Sequence, residues 1–116
     1  MISVVLIAIA GFANAVMDLT RLGRFNDKSS WWDWRVSWKR KWKEGSTTEE
    51  RFIGSSSVFV FVTDAWHCFQ QIMLVAFCGA VVAYEPILGG VKDFFIYLVV
   101  FSMVFHAFFH WIIGRK

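Results

Sequence analysis

At 116 residues the chain has room for one domain, and its composition is 57% hydrophobic, 19% aromatic and 18% charged, with one proline and two cysteines. These values exclude a disordered chain and a disulfide-rich secreted scaffold. The formal net charge of +3 conceals a very uneven placement of Lys and Arg.

The first apolar segment, residues 2–17, predicts a membrane-spanning helix over about 2–20. It also has the length of a signal-peptide core, with Ala13 and Ala15 as a weak cleavage signature, but no basic stretch precedes it. A second segment, about 56–84, is interrupted only by Asp64, His67, Gln70 and Gln71, and a third, about 94–113, contains no Asp, Glu, Lys or Arg. Both are long enough to cross a bilayer. Ser55, Ser56 and Ser57 are placed to cap the second helix, Glu85-Pro86 to stop it and Gly89-Gly90 to turn the chain. Cys68 and Cys78 on that helix would stand about 15 Å apart and read as free thiols.

Between the first two spans, residues 30–44 interleave indoles with cations. Trp31, Trp34, Trp38 and Trp42 fall within an arc of roughly 80° on a helix. Arg35, Lys39 and Lys43 line one flank at a spacing of four. Ser30 with Asp33 gives a capping-box-like start, and Gly45 a stop. The pattern predicts an amphipathic helix lying in the membrane interface, with indoles at headgroup level and cations meeting anionic lipid. It reads either as an anchor or as a lid that binds a headgroup or another anionic substrate. Base stacking on nucleic acid is a weaker third reading, because the loop is tethered at both ends.

Nine of the 12 Lys and Arg lie from Arg21 to Arg51, Arg115 and Lys116 add two, and the loop at 85–93 has only Lys92. The positive-inside rule then predicts a multi-pass protein of the inner (plasma) membrane, N-terminus out and C-terminus cytoplasmic. The expected fold class is all-α: a single membrane domain of three transmembrane helices plus one interfacial Trp/basic helix.

Each span carries one polar stripe. The first has Gly11, Asn14, Asp18 and Arg21, the second Asp64, His67, Gln71 and Cys78, and the third Ser102, His106 and His110. Counting about 1.5 Å per residue from the cytoplasmic ends puts Asp64 about 12 Å deep, His67 about 16 Å, His110 about 8 Å and His106 about 14 Å. Ionisable groups at such depth are costly unless paired, hydrated or metal-bound. Several readings stay open. In one, the set is a satisfied polar core in which Asp64 pairs with Arg21 or a histidine. In another, Asp64, His67, His106 and His110 bind a zinc, iron or manganese ion, with Asp18 as a further ligand or general base. If that site is catalytic, metal-activated water attacks a lipid-like or anionic substrate held by Arg35, Lys39 and Lys43. A haem between His67 and His106 or His110, or a proton or ion pathway in an oligomer, are further alternatives. Three spans make a thin bundle, so a homo-oligomer is expected. A holin-like pore and a structural or assembly protein remain as other functional classes. No phosphate-binding Gly-rich loop, nucleophile elbow, His-Glu-x-x-His or Cys-x-x-Cys is present.

The stretches S-W-K-R-K-W-K from Ser37 and F-V-F-V-T-D-A-W-H from Phe59, with N-A-V-M-D from Asn14 upstream, resemble a family of small bacterial or phage-encoded multi-pass membrane proteins. The resemblance would cover nearly the whole chain. It implies membrane topology and brings no activity.

Overall fold

The structure, a computed structural model, describes residues 2–46 and 48–114. Among the described residues four α-helices follow one another: α1 (Ile2–Arg21), α2 (Trp34–Ser37), α3 (Ala65–Val82) and α4 (Val91–Ile113), with short 3-10 turns at Trp38–Lys41 and Val60–Val62. No strand forms among the described residues, only an isolated antiparallel bridge between Trp42 and Glu50. α1, α3 and α4 are each long and apolar enough to cross a membrane. The described chain divides into two compact units, residues 2–15 with 72–114, and residues 16–71.

In the first unit, small residues let backbones approach. Ser3, Ile7, Ala10 and Gly11 on α1 are buried, as are Ala76 and Ala80 on α3. A Cβ at Gly11 would stand 2.6 Å from the carbonyl oxygen of Phe101, so α1 and α4 touch main chain to side-chain position there. Such small-residue contacts are the common means of close helix packing in membranes. Phe12 meets Phe108 edge-on at 4.6 Å and Phe77 stacks on Phe101 at 5.7 Å, while the Ser3 and Tyr97 hydroxyls share a hydrogen bond of 3.0 Å. The turn into α4 is organised by Asp93. Its buried carboxylate accepts hydrogen bonds from the Tyr84 hydroxyl and from the backbone N–H of Ile87, Leu88 and Gly89.

The second unit departs from the sequence expectation in two places. The second apolar segment was expected to be helical from 56, but α3 begins at Ala65 and ends at Val82. The run Val58–Thr63 is β-branched and aromatic, which disfavours helix, and it forms turns instead. Ser55 and Ser56 do not cap the helix. The Ser55 hydroxyl donates to the Lys41 carbonyl, and Ser56 donates its N–H and hydroxyl to Glu50. The cap is Asp64, whose Oδ1 accepts the His67 N–H at 2.8 Å. Asp64 therefore stands at the start of α3, and the depth reckoned for it by counting from residue 56 does not hold.

The expected amphipathic helix over 30–44 is also replaced. Asp33 is the N-cap of a helix of only four residues, Trp34–Ser37, followed by the 3-10 turn Trp38–Lys41. Trp42 is extended and pairs with Glu50, backed by the Lys43 N–H on the Glu49 carbonyl and the Arg51 N–H on the Lys41 carbonyl. The chain reverses near Gly45, which has φ +79°. A short helix carrying Lys39, Arg40, Lys41 and Lys43 in close succession gains too little from its own hydrogen bonds to compete with this pairing. Trp31 is pinned at both polar ends: its indole N–H donates to the Val62 carbonyl and its own carbonyl accepts from the Ala65 N–H.

Candidate functional site

Two adjoining recesses of the second unit collect Arg21, Trp34, Trp38, Lys39, Lys43, Asp64 and His67 from the residues singled out in the sequence, and they share Trp38. The first, about 220 Å³, is lined by Arg21, Trp34, Ser37, Trp38, Asp64, Trp66 and His67. α3 delivers His67 one turn inside its cap. The imidazole Nδ1 lies 2.9 and 2.8 Å from the two oxygens of Asp64, which is 4% exposed as a residue. An ionised carboxylate only accepts, so this contact puts the ring proton on Nδ1 and leaves Nε2 as the open nitrogen. The Arg21 guanidinium lies 5.4 Å over the Trp66 ring, a cation–π contact on the same recess.

The second recess, about 300 Å³, is lined by Trp38, Lys39, Lys43, Glu44, Gly45, Ser46 and Arg51. Three cations face it against one carboxylate. Lys39 sits 5.6 Å over the Trp38 ring, and Lys43 approaches Glu49 at 3.7 Å with both side chains mostly exposed, a weak pair. Arg35, grouped with these lysines by sequence spacing, is committed elsewhere. Its Nε and Nη2 donate to the two oxygens of Asp33 at 2.9 and 2.8 Å, and its N–H to Oδ1. That fork holds the Asp33 carboxyl below its ordinary range and pushes the Arg35 guanidinium up, in both cases chiefly through the side-chain hydrogen bond. Arg51 takes the place in the recess that sequence spacing gave to Arg35. Periodicity could not find it, because the bridge from Trp42 to Glu50 brings it there.

Of the four indoles placed on one arc, Trp34 and Trp38 are exposed, whereas Trp31 and Trp42 are half-buried and held by the loop. Asp18 is exposed and does not line either recess. Along α1, Asn14 is half-buried and Arg21 exposed; Gln71 on α3 is exposed and Ser102 on α4 half-buried. His106 and His110, in the first unit, are exposed and stack on each other at 5.7 Å. No group of three or more His, Cys, Asp or Glu side chains able to hold a metal forms among the described residues. Asp64 and His67 satisfy each other, and both carboxylate oxygens are used in doing so. Cys68 and Cys78 are free.

The chain matches no protein-family model, no curated protein and no solved structure. The resemblance read from its sequence therefore carries nothing further into the functional reading.

Proposed function

We propose that the chain is an integral membrane protein with α1, α3 and α4 as its spans, N-terminus out and C-terminus cytoplasmic, whose 16–71 unit receives anionic lipid headgroups at the cytoplasmic face. The observation that carries this reading is the recess of Lys39, Lys43 and Arg51, which shares the exposed indole of Trp38 with the recess lined by the exposed Trp34. A phosphodiester fits that donor set: Arg51 offers a planar fork and the two lysines compact charges. Indoles prefer the headgroup level of a bilayer, and each cation near an anionic surface adds about 1 kcal/mol of attraction. The test is lipid retention by the purified protein, read by native mass spectrometry. Phosphatidylglycerol should be retained over phosphatidylcholine, and the K39A/K43A/R51A variant should lose that preference. Equal retention of both lipids by the unaltered protein would refute it.

The Asp64–His67 pair favours a second reading. A carboxylate on Nδ1 is the usual support of a metal-ligating or proton-accepting imidazole. Here Asp64 would orient His67 and not itself ligate, so a zinc, iron or manganese ion on Nε2 would need its remaining ligands from a bound molecule or another copy. Metal content of the purified protein that is the same in His67→Ala would remove this reading.

A further inference from the structure

α4 carries a polar stripe whose two histidines are exposed and whose serine, Ser102, is half-buried. At about 100° per residue, Ser102, His106 and His110 share an arc of roughly 80°. Tyr97, Phe101 and Phe108, which meet Ser3, Gly11 and Phe12 of α1, lie roughly opposite. The side of α4 used for packing against α1 is thus turned away from its histidines. His106 and His110 are both exposed, and their rings are nearly parallel, with an interplanar angle of 15°. None of the most apolar 18-residue stretch of α4 is buried, against half of that of α1.

On the membrane reading above, this leaves two imidazoles one helical turn apart on a span surface, where an unpartnered polar group is costly. We infer that the Ser102/His106/His110 stripe of α4 is the seam of a homodimer, occupied by the same stripe of a second copy. The chemistry suits that partner. A neutral imidazole carries one donor and one acceptor, so a histidine ladder is complementary to itself across a two-fold axis. A row of Lys or of Asp would repel its own copy. A serine hydroxyl, also both donor and acceptor, continues the pattern one turn further along.

The test uses the full chain in liposomes with Cys68 and Cys78 replaced by Ser. Single cysteines are introduced at Val99, on the stripe's face, and at Ala107, off it; both positions are exposed. Oxidation is expected to join copies carrying Val99→Cys and to leave those carrying Ala107→Cys monomeric. In a dilution series read by energy transfer between labelled copies, His106→Leu with His110→Leu should raise the protein-to-lipid ratio for half-dimerisation by on the order of tenfold. His106→Gln with His110→Gln, which restores a donor and an acceptor at each site, should return most of that loss. Equal cross-linking at the two positions, or dimerisation unchanged by the leucines, overturns the seam. Carbonate extraction in parallel separates the two claims: a chain stripped from the bilayer fails the membrane reading as well, and a retained monomer fails the seam alone.

Discussion

Asp64 holds His67 twice, taking its backbone N–H at 2.8 Å and its imidazole Nδ1 at 2.8 and 2.9 Å. One carboxylate both starts α3 and holds the His67 ring by Nδ1. The two tasks separate by substitution. Asp64→Asn keeps a good N-cap and should cost a few tenths of a kcal/mol, whereas Asp64→Ala should cost about 1 kcal/mol and fray the first turn. Amide exchange at residues 65–68 reads the fraying. The nitrogen shifts of the His67 ring should change in both variants, because each removes the anionic partner of Nδ1.

Gly11 is the most tightly enclosed glycine of the first unit. A Cβ there meets the Phe101 carbonyl oxygen at 2.6 Å, and backbone cannot swing aside as a side chain can. Gly11→Ala should destabilise the packing of α1 on α4 by about 1–3 kcal/mol, as overpacking does. Gly79→Ala meets only a Leu6 methyl at 3.1 Å and should be milder. Unfolding in mixed micelles followed by circular dichroism compares the two, and equal losses would contradict the close approach at Gly11.

Asp93 anchors the turn into α4 through four hydrogen bonds on a buried carboxylate. Asp93→Ala strands three backbone donors and the Tyr84 hydroxyl, and should cost about 2–4 kcal/mol. Tyr84→Phe removes a single donor and should cost about 1 kcal/mol. Limited proteolysis within residues 84–90 should accelerate strongly in the first variant and weakly in the second.

Glu50 gives the loop over residues 42–56 a pH dependence. Hydrogen bonds from the Ser56 hydroxyl, and then from its N–H, hold the Glu50 carboxyl below its ordinary value. A carboxyl lowered on folding contributes stability that is present above the unfolded value, near 4.3, and is lost as pH falls through the folded one. The Ser56 amide should therefore exchange faster as pH falls below the ordinary carboxylate range, after correction for intrinsic rates. Glu50→Gln should flatten that dependence. A profile that is already flat in the unaltered chain would contradict the Glu50–Ser56 contact.

What the sequence made legible follows from scale. Three apolar helices could be read because each is a long run whose composition leaves few alternatives. The start of α3 is masked in the sequence because three consecutive serines look like caps, while the capping residue sits after the β-branched run at 58–63. The Trp/basic segment has a true helical period, but period alone does not measure whether a short helix outcompetes a bridge such as Trp42–Glu50. Spacing alone groups Trp38, Lys39 and Lys43, which do share a recess, whereas Arg35 is held by Asp33 and Arg51 reaches the recess from a distant turn. Asp93 stands at the edge of the third apolar run. Its place three residues after Gly90, in the first turn of an apolar helix, was the available signal.

Sidedness tests the central claim most directly. In a background lacking Cys68 and Cys78, single cysteines at Ser46, beside the basic recess, and at Leu88, in the turn before α4, are challenged with a membrane-impermeant maleimide on intact cells. Three spans with the basic unit inside predict that Leu88→Cys is labelled at once and Ser46→Cys only after permeabilisation. Labelling of both from the same side, or of Ser46→Cys alone, would contradict it.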